Sequence, residues 1–324
     1  MSSRSKWKKQ WKKEYSKISK RRKLKYNRWG YIFLIPFFVV FTVCTLIPQC
    51  MTIFNSFFTD YKEGLLHIGP KFAGLKNYIT LLAPNSRGDI LFFKYFGNTI
   101  ALWLLGAIPQ FVFALLMALI FTNSRMKIRG KGFFKTVMYM PNLIMASAIS
   151  MLFYNLFSNV GPINQIIVGL LGEESRIDFF SRTYTVRGMI AFMNFIMWVG
   201  NTTLVLMAGI MSIDESIMEA AAIDGAKSTK VFFNITLPLL KPIIVYTVIT
   251  ALLGGLQMYD VPEILTSGQG TPNYSSKTIV MSLNSYLGTS KNYGVSGAIS
   301  VLMFALSSLL SVTVYKTMVW RDEK

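Results

Sequence analysis

The chain is poor in the residues that soluble catalysis and metal binding need. Its 324 residues include one histidine, two cysteines and 15 acids, and only 15% are charged. His67 stands alone, so no cluster has metal-ligand spacing and no Ser-His-Asp set can be assembled; a structural histidine in an outer loop is the simpler reading. Cys44 and Cys50 lie six apart within one apolar run, where a helix would separate them by about 9 Å along its axis, so no disulfide is expected. A G-x4-G-K-[ST] phosphate loop is missing too, because Gly130-Lys131 has Arg125 where the first glycine must stand. The chain cannot hydrolyse ATP alone.

What it has in quantity is apolar. Hydrophobic residues make up 52% of the chain and fall in long blocks, as in a polytopic membrane protein and unlike a soluble enzyme. The net charge of +19 invites a nucleic-acid partner. Yet 13 of the 34 Lys and Arg residues lie in the first 28 positions and the others sit beside apolar runs, a placement that membrane topology explains better. No nucleic acid is expected.

Residues 1–28 form a basic cytoplasmic segment with Glu14 as its only acid, too charged for a cleavable signal peptide. Trp7, Trp11, Tyr15 and Ile18 recur at helical spacing, so it is either an amphipathic helix on anionic lipid or a basic tail without order. Residues 29–324 read as a transmembrane domain. Runs long enough to span lie at about 31–54, 98–121, 133–157, 186–210, 243–265 and 295–319. Arg125, Lys127, Arg129 and Lys131 follow the second run without an acid, the mark of a cytoplasmic loop. Six crossings then place both termini and the segment 212–242 inside. Pro141 suggests a kink in the third run, with Asn142 and Asn155 as helix-helix contacts.

Met218 to Pro242 interrupts the apolar pattern with ordered charge. Asp214, Glu215 and Glu219 would begin a short helix where negative charge suits its dipole, Gly225 permits a sharp turn, and a second short helix would start near Ser228. Pro238 and Pro242 would interrupt one helix and open the next. An ordinary solvated loop is the alternative.

Half-way through the flanking runs, Gly254 and Gly255 precede Gln257, Met258, Tyr259 and Asp260, and paired glycines permit close packing or unwinding beside a cavity. The facing run carries Trp198, Asn201, Thr202 and Thr203, an aromatic with amide and hydroxyl groups that suits a sugar ring. Asp260, alone among apolar residues, fits a capped or interfacial carboxylate better than a proton relay.

The order Glu219-Ala220-Ala221, three residues, Gly225, nine residues, Ile235, one residue, Leu237-Pro238 resembles the EAA loop of permease subunits of binding-protein-dependent ABC importers. KFAGLKNY at 71–78 and GPIN at 161–164 are similar to segments of sugar-importer permeases. So is LTSGQGTPNYSSKT at 265–278, although Gln269 replaces a glycine and Pro272 comes late. From Tyr31 onward the chain resembles a maltose-type permease of the type I ABC importer fold: all-α, polytopic, six transmembrane helices, with cytoplasmic EAA coupling helices.

The resemblance implies a bacterial plasma-membrane subunit that is no enzyme itself. It would pair with a second permease, two ATPase subunits that carry ATP and Mg, and an extracellular solute-binding protein, and would move a sugar or oligosaccharide by alternating access. No cofactor is expected on this chain. Coupling to the ATPase would fall to Glu219, Ala220, Ala221, Asp224, Gly225, Ile235, Leu237 and Pro238. Substrate contacts would lie near Met197, Trp198, Asn201, Ala251, Gly254, Gly255 and Met258. A glycerol phosphate or other polyol ester is the alternative cargo, and a nucleotide-independent secondary transporter the alternative class.

Overall fold

The computed structural model describes residues 11, 27–64, 66–86, 88–123, 126, 128–288 and 291–319. Most of the basic segment 1–28, the loop positions Arg125 and Lys127, and the residues from 320 onward lie outside that set. The chain divides into two units at Phe54.

The first unit holds most of one long helix, α1 (Trp29–Ser56), which includes a π-helical stretch at Thr42–Leu46. It buries almost nothing, and Phe33, Phe37 and Val40 are among many large apolar side chains left open. Such a surface is stable only in a solvent as apolar as itself.

The second unit opens with a strand pair, which the sequence reading does not contain. Strands β1 (Phe58–Glu63) and β2 (Leu66–Phe72) form an antiparallel hairpin, with Gly64 at φ 61° in the turn. His67 and Asp60 meet across it, Nε2 to Oδ1 at 2.6 Å, which gives the lone histidine its structural role. Helix α2 (Lys76–Leu82) comes next. The buried Asn77 donates to the carbonyls of Ser56 and Phe58, and Tyr78 donates to Ser56 Oγ. KFAGLKNY is thus a clamp on the hairpin.

The long elements are α3 (Leu91–Thr122), α7 (Thr183–Met211), α10 (Leu237–Leu256) and α13 (Tyr293–Val319). Between the first two of these come α4 (Lys131–Tyr139), a 3-10 turn at Met140–Leu143, α5 (Ala146–Phe157) and α6 (Pro162–Leu171). Between α7 and α10 come α8 (Glu215–Ile223), α9 (Ser228–Val231) and a π turn at Phe232–Thr236. After α10 come α11 (Asp260–Leu265) and α12 (Ile279–Gly288).

Helices α3 and α7 run parallel. Near their beginnings Arg187 donates to Asn98; further along Gln110 Nε2 donates to Thr202 Oγ1 at 2.7 Å; at their ends Ala118 and Phe121 join Leu206 and Met207 in one cluster. The segment between them must therefore return along the bundle. It does so in two pieces bent by 89° at the break after Leu143. Met138 of α4 packs in the cluster at the ends of α3 and α7, whereas Ile149 of α5 packs with Val186 and Met189 near the beginning of α7. Counted as one broken span, the bent pair brings the five long apolar helices among the described residues to six candidate spans.

Pro141 thus marks a sharper event than the expected kink. The first turn of a helix accepts proline and its interior does not, so the chain leaves the α-helix at Tyr139 and resumes at Ala146. Helix α10 runs opposite to α7, from Leu240 and Ile243 packed at Gly209 to Met258 packed with Met197. Helix α13 begins beside the hairpin, where Gly294 lies against the Phe58 carbonyl, and buries Val295 and Ile299 on Phe92 and Tyr95.

Candidate functional site: a docking turn and a half-depth face

The end of the bundle reached by α3 and α7 carries the charged turn. Asp214 caps α8 by accepting from the Ser216 N–H at 3.0 Å, and that backbone donor holds its carboxyl below the usual carboxylate range. Glu219 and Ala220 are exposed, while Ala221 is buried beneath the turn, its carbonyl accepting from the Ala226 N–H. Asp224 closes the helix and Gly225 stands after it at φ 66°. No atom lies within 4 Å of a Cβ added there, so backbone conformation, not space, calls for glycine. Ile223, 87% exposed, projects beside the turn with Phe233, and acids and apolar tips together make a surface suited to a protein partner.

Helix α9 starts at Ser228, where the sequence puts it. Pro238 and Pro242, expected to interrupt one helix and open the next, do not break the helical course: Pro238 stands in the first turn of α10 and Pro242 inside it. A π turn at Phe232–Thr236 joins α9 to α10 without a break, so the wider helical turn absorbs the donor that Pro238 lacks in the first turn of α10. Ile235 and Leu237 are half-buried and Pro238 is exposed. Helix α9, which follows the charged turn, is therefore continuous with α10.

Towards the end of α10 the expected substrate segments come together, Met258 packing in one cluster with Met197. Trp198 is 47% exposed, Asn201 and Ala251 are half-exposed, and Gly254 has open space beside it. Tyr246, Thr250, Gly254 and Gln257 form an exposed stripe along α10. Met197 and Met258, in contrast, are buried in one cluster, and Gly255 is covered by the Trp103 indole, whose Cδ1 would lie 2.0 Å from an added Cβ. These three line the packing beneath the face, not the face itself. The paired glycines thus do both things their spacing permits: Gly255 admits close packing, and beyond Gly254 the helix ends at Leu256 and resumes as α11 at Asp260. Thr278 donates to the Met258 carbonyl left inside that break. Asp260 and Glu263 occupy the first turn of α11, where the helix dipole favours acids.

Of the residues that shape this face, the sequence reading contains Asn142 as a helix-helix contact and misses Gly200, Asn194, Arg187 and Asn98. Asn142, in the break of the third span, donates to the Met197 carbonyl at 3.0 Å, and the Met138 carbonyl would lie 2.1 Å from a Cβ at Gly200. The break is thereby pressed against α7 beside Trp198. Asn194 donates to the Ile190 carbonyl and reaches Met258 Sδ at 3.6 Å. Arg187 donates to the Ser275 carbonyl and to Asn98, which in turn donates to the carbonyls of Tyr274 and Lys277, so the 266–278 loop is tied to α3 and α7. Asn155, expected beside Asn142 as a helix contact, is exposed and its side chain bonds nothing among the described residues. Asn164 of GPIN is 1% exposed, donates to Ser158 and Ile177 and accepts from the Ile177 N–H.

A cavity of about 710 Å³ lies elsewhere. It is a trough between α3 and α7 walled by Leu105, Pro109, Ala191, Phe192 and Phe195. Its walls are mostly apolar, with Thr183, Tyr184 and Arg187 as the polar residues of the lining.

Residues 110–319 match the family described as binding-protein-dependent transport system inner membrane component. A multiple sugar-binding transport system permease protein of Streptococcus mutans is 30% identical over 91% of this chain and 97% of its own. A lactose transport system permease protein of Rhizobium radiobacter is 30% identical over 79% and 82%. A probable ABC transporter permease protein of Bacillus subtilis is 29% identical over 90% of each. Among solved structures, a bacterial ABC transporter involved in the import of the acidic polysaccharide alginate aligns with a TM-score of 0.70, covering 93% of this chain and 98% of that one at 20% identity, a likeness of fold. With the match covering more than half its length, this chain belongs to the binding-protein-dependent transport system inner membrane components, the permease subunits of ABC transporters.

Proposed function

We propose that the chain is one of two permeases in an ATP-driven importer for a sugar or oligosaccharide, and that it carries ATPase closure at the α8–Gly225–α9 turn to the half-depth face. The observation that carries this reading is the unbroken course from α9 through the π turn into α10, which joins the docking turn to the stripe at Tyr246, Thr250 and Gly254. A displacement of the turn moves that stripe as a rigid body.

Arg129, Lys131 and Lys135 at one end of the bundle support a cytoplasmic location for the turn and for the end of α13. ATP and Mg are assigned to two separate ATPase subunits, since the chain has no phosphate loop, and an extracellular solute-binding protein delivers the cargo. Relatives named for lactose, for multiple sugars and for trehalose and maltose favour carbohydrate. Trp198 is assigned to stack on a sugar ring and Asn201, Thr250 and Gln257 to hydrogen-bond its hydroxyls.

The test is purification of the complex from its own membranes, identification of its subunits, and ATP hydrolysis with and without Glu219→Ala. A second permease and an ATPase should come with the chain, and the substitution should weaken hydrolysis or assembly. Recovery of the chain alone, with transport indifferent to nucleotide, would refute the assignment.

A further inference from the structure

A second cavity, of about 440 Å³, lies at the end of the bundle where α3 begins, between α2, α3, α12 and α13. Its floor is apolar: Phe92, Ile279 and Ile299 are each at most 3% exposed. Its rim is hydroxylic. Tyr95, Ser282, Ser285 and Tyr286 line it, and none of their hydroxyls has a partner among the described residues. Among the described residues the one charged group at the wall is Lys277, whose Nζ sits 5.6 Å from the ring centroids of both Tyr95 and Tyr274.

That ammonium group is half-buried, and among the described residues no acid lines the cavity. Glu263 senses its charge but forms no ion pair with it. Two tyrosine faces orient a cation without neutralising it. The lysine is also prearranged, because Asn98 and Arg187 hold the carbonyls of Tyr274, Ser275 and Lys277 in place. A prebuilt cation with four open hydroxyls over an apolar floor favours a ligand that brings an oxyanion and hydroxyls together.

We infer that this cavity binds a small polyhydroxylated ligand bearing one carboxylate or phosphate, at a site separate from the half-depth face. Its volume falls within the range of small-ligand pockets, about 300–1,000 Å³. The same chemistry reaches the site from two sources, a soluble acidic sugar or the glycerol-phosphate headgroup of phosphatidylglycerol.

The experiment uses the whole importer in phosphatidylcholine nanodiscs. Calorimetry measures binding of glucuronate, with glucose as the neutral control, and native mass spectrometry measures phosphatidylglycerol retained when that lipid is included. Binding of glucuronate in preference to glucose, at least tenfold weaker in Lys277→Gln and restored in Lys277→Arg, supports the soluble source. Retention of phosphatidylglycerol with the same lysine dependence, and no glucuronate binding, supports the lipid source. Should Lys277→Gln fail to assemble, Tyr286→Phe and Ser285→Ala keep the charge and should each weaken the same binding severalfold. Neither probe binding, glucose binding as well as glucuronate, or binding unchanged in these variants would overturn the inference.

Discussion

Gly200→Ala probes the contact on which the half-depth face rests. A Cβ at residue 200 would stand 2.1 Å from the Met138 carbonyl oxygen, 2.6 Å from its carbon and 2.8 Å from Tyr139 Cα, all backbone atoms that cannot rotate away. To restore ordinary contact the end of α4 must retreat by about 1 Å, and overpacking of this kind costs about 1–3 kcal/mol. The same retreat pulls Asn142 off the Met197 carbonyl, now 3.0 Å away, and an interhelical hydrogen bond in a membrane contributes about 0.6–1.7 kcal/mol. Together the substitution should destabilise the chain by about 2–4 kcal/mol, with Asn142→Ala accounting for about 1 kcal/mol when made alone. Steric-trapping measurements in bicelles give both values. A Gly200→Ala variant within about 0.5 kcal/mol of the parent would show that the break does not press on α7 as described, and the account of the face would fail with it.

Other substitutions test other links. Arg187→Gln should release the 266–278 loop, visible as faster hydrogen exchange at Ser275 to Thr278, while α8 and α9 exchange as before; unchanged protection would refute the tie. Gly225→Val places a β-branched residue at φ 66°, where the strain is about 1–2 kcal/mol, and should uncouple uptake from ATP hydrolysis while membrane insertion stays normal. Normal uptake by that variant would remove the turn from the mechanism. The Asp214 cap has a folded-state carboxyl held below its unfolded value, so its contribution is complete above the ordinary carboxylate range and fades as pH falls through the lowered value. Coupled transport should therefore show no Asp214-dependent change from pH 8 down to about 5, and the loss caused by Asp214→Ala should be constant over that window. A loss that varies across it would contradict the capping role.

The long apolar runs, the charged turn, Gly225 and the start of α9 at Ser228 were all legible in the sequence, because each depends on neighbours within a few residues. Hydropathy blocks set spans, an acid-rich start sets α8, and a positive φ asks for glycine. The features that were not legible depend on approach between distant segments. Pro141 announces a disturbance, but only the contact of Met138 and Asn142 with α7 turns it into an 89° break. Gly254 and Gly255 are equivalent in the sequence; helical phase sends one to open space and the other under Trp103. Helical phase likewise buries Met197 beside Trp198. The motifs KFAGLKNY and GPIN carry a family resemblance, yet Asn77 and Asn164 serve as clamps whose partners lie up to 21 residues away. Arg187 carries no local sign of its role, since a basic residue at the end of a span is ordinary; its partners at Asn98 and Ser275 are 89 and 88 residues distant.

On the proposed function, nucleotide held by the separate ATPase subunits acts through the α8–Gly225–α9 turn on the face formed by α7 and α10. The most direct test is the accessibility of that face. In the assembled importer, with Cys44 and Cys50 replaced by serine, a cysteine introduced as Thr250→Cys is labelled by a water-soluble thiol reagent added from the extracellular side, with and without trapped ATP. The account expects labelling to change at least tenfold between the two states, and the change to vanish when Gly225→Val is added. Labelling that is the same with and without nucleotide would contradict it.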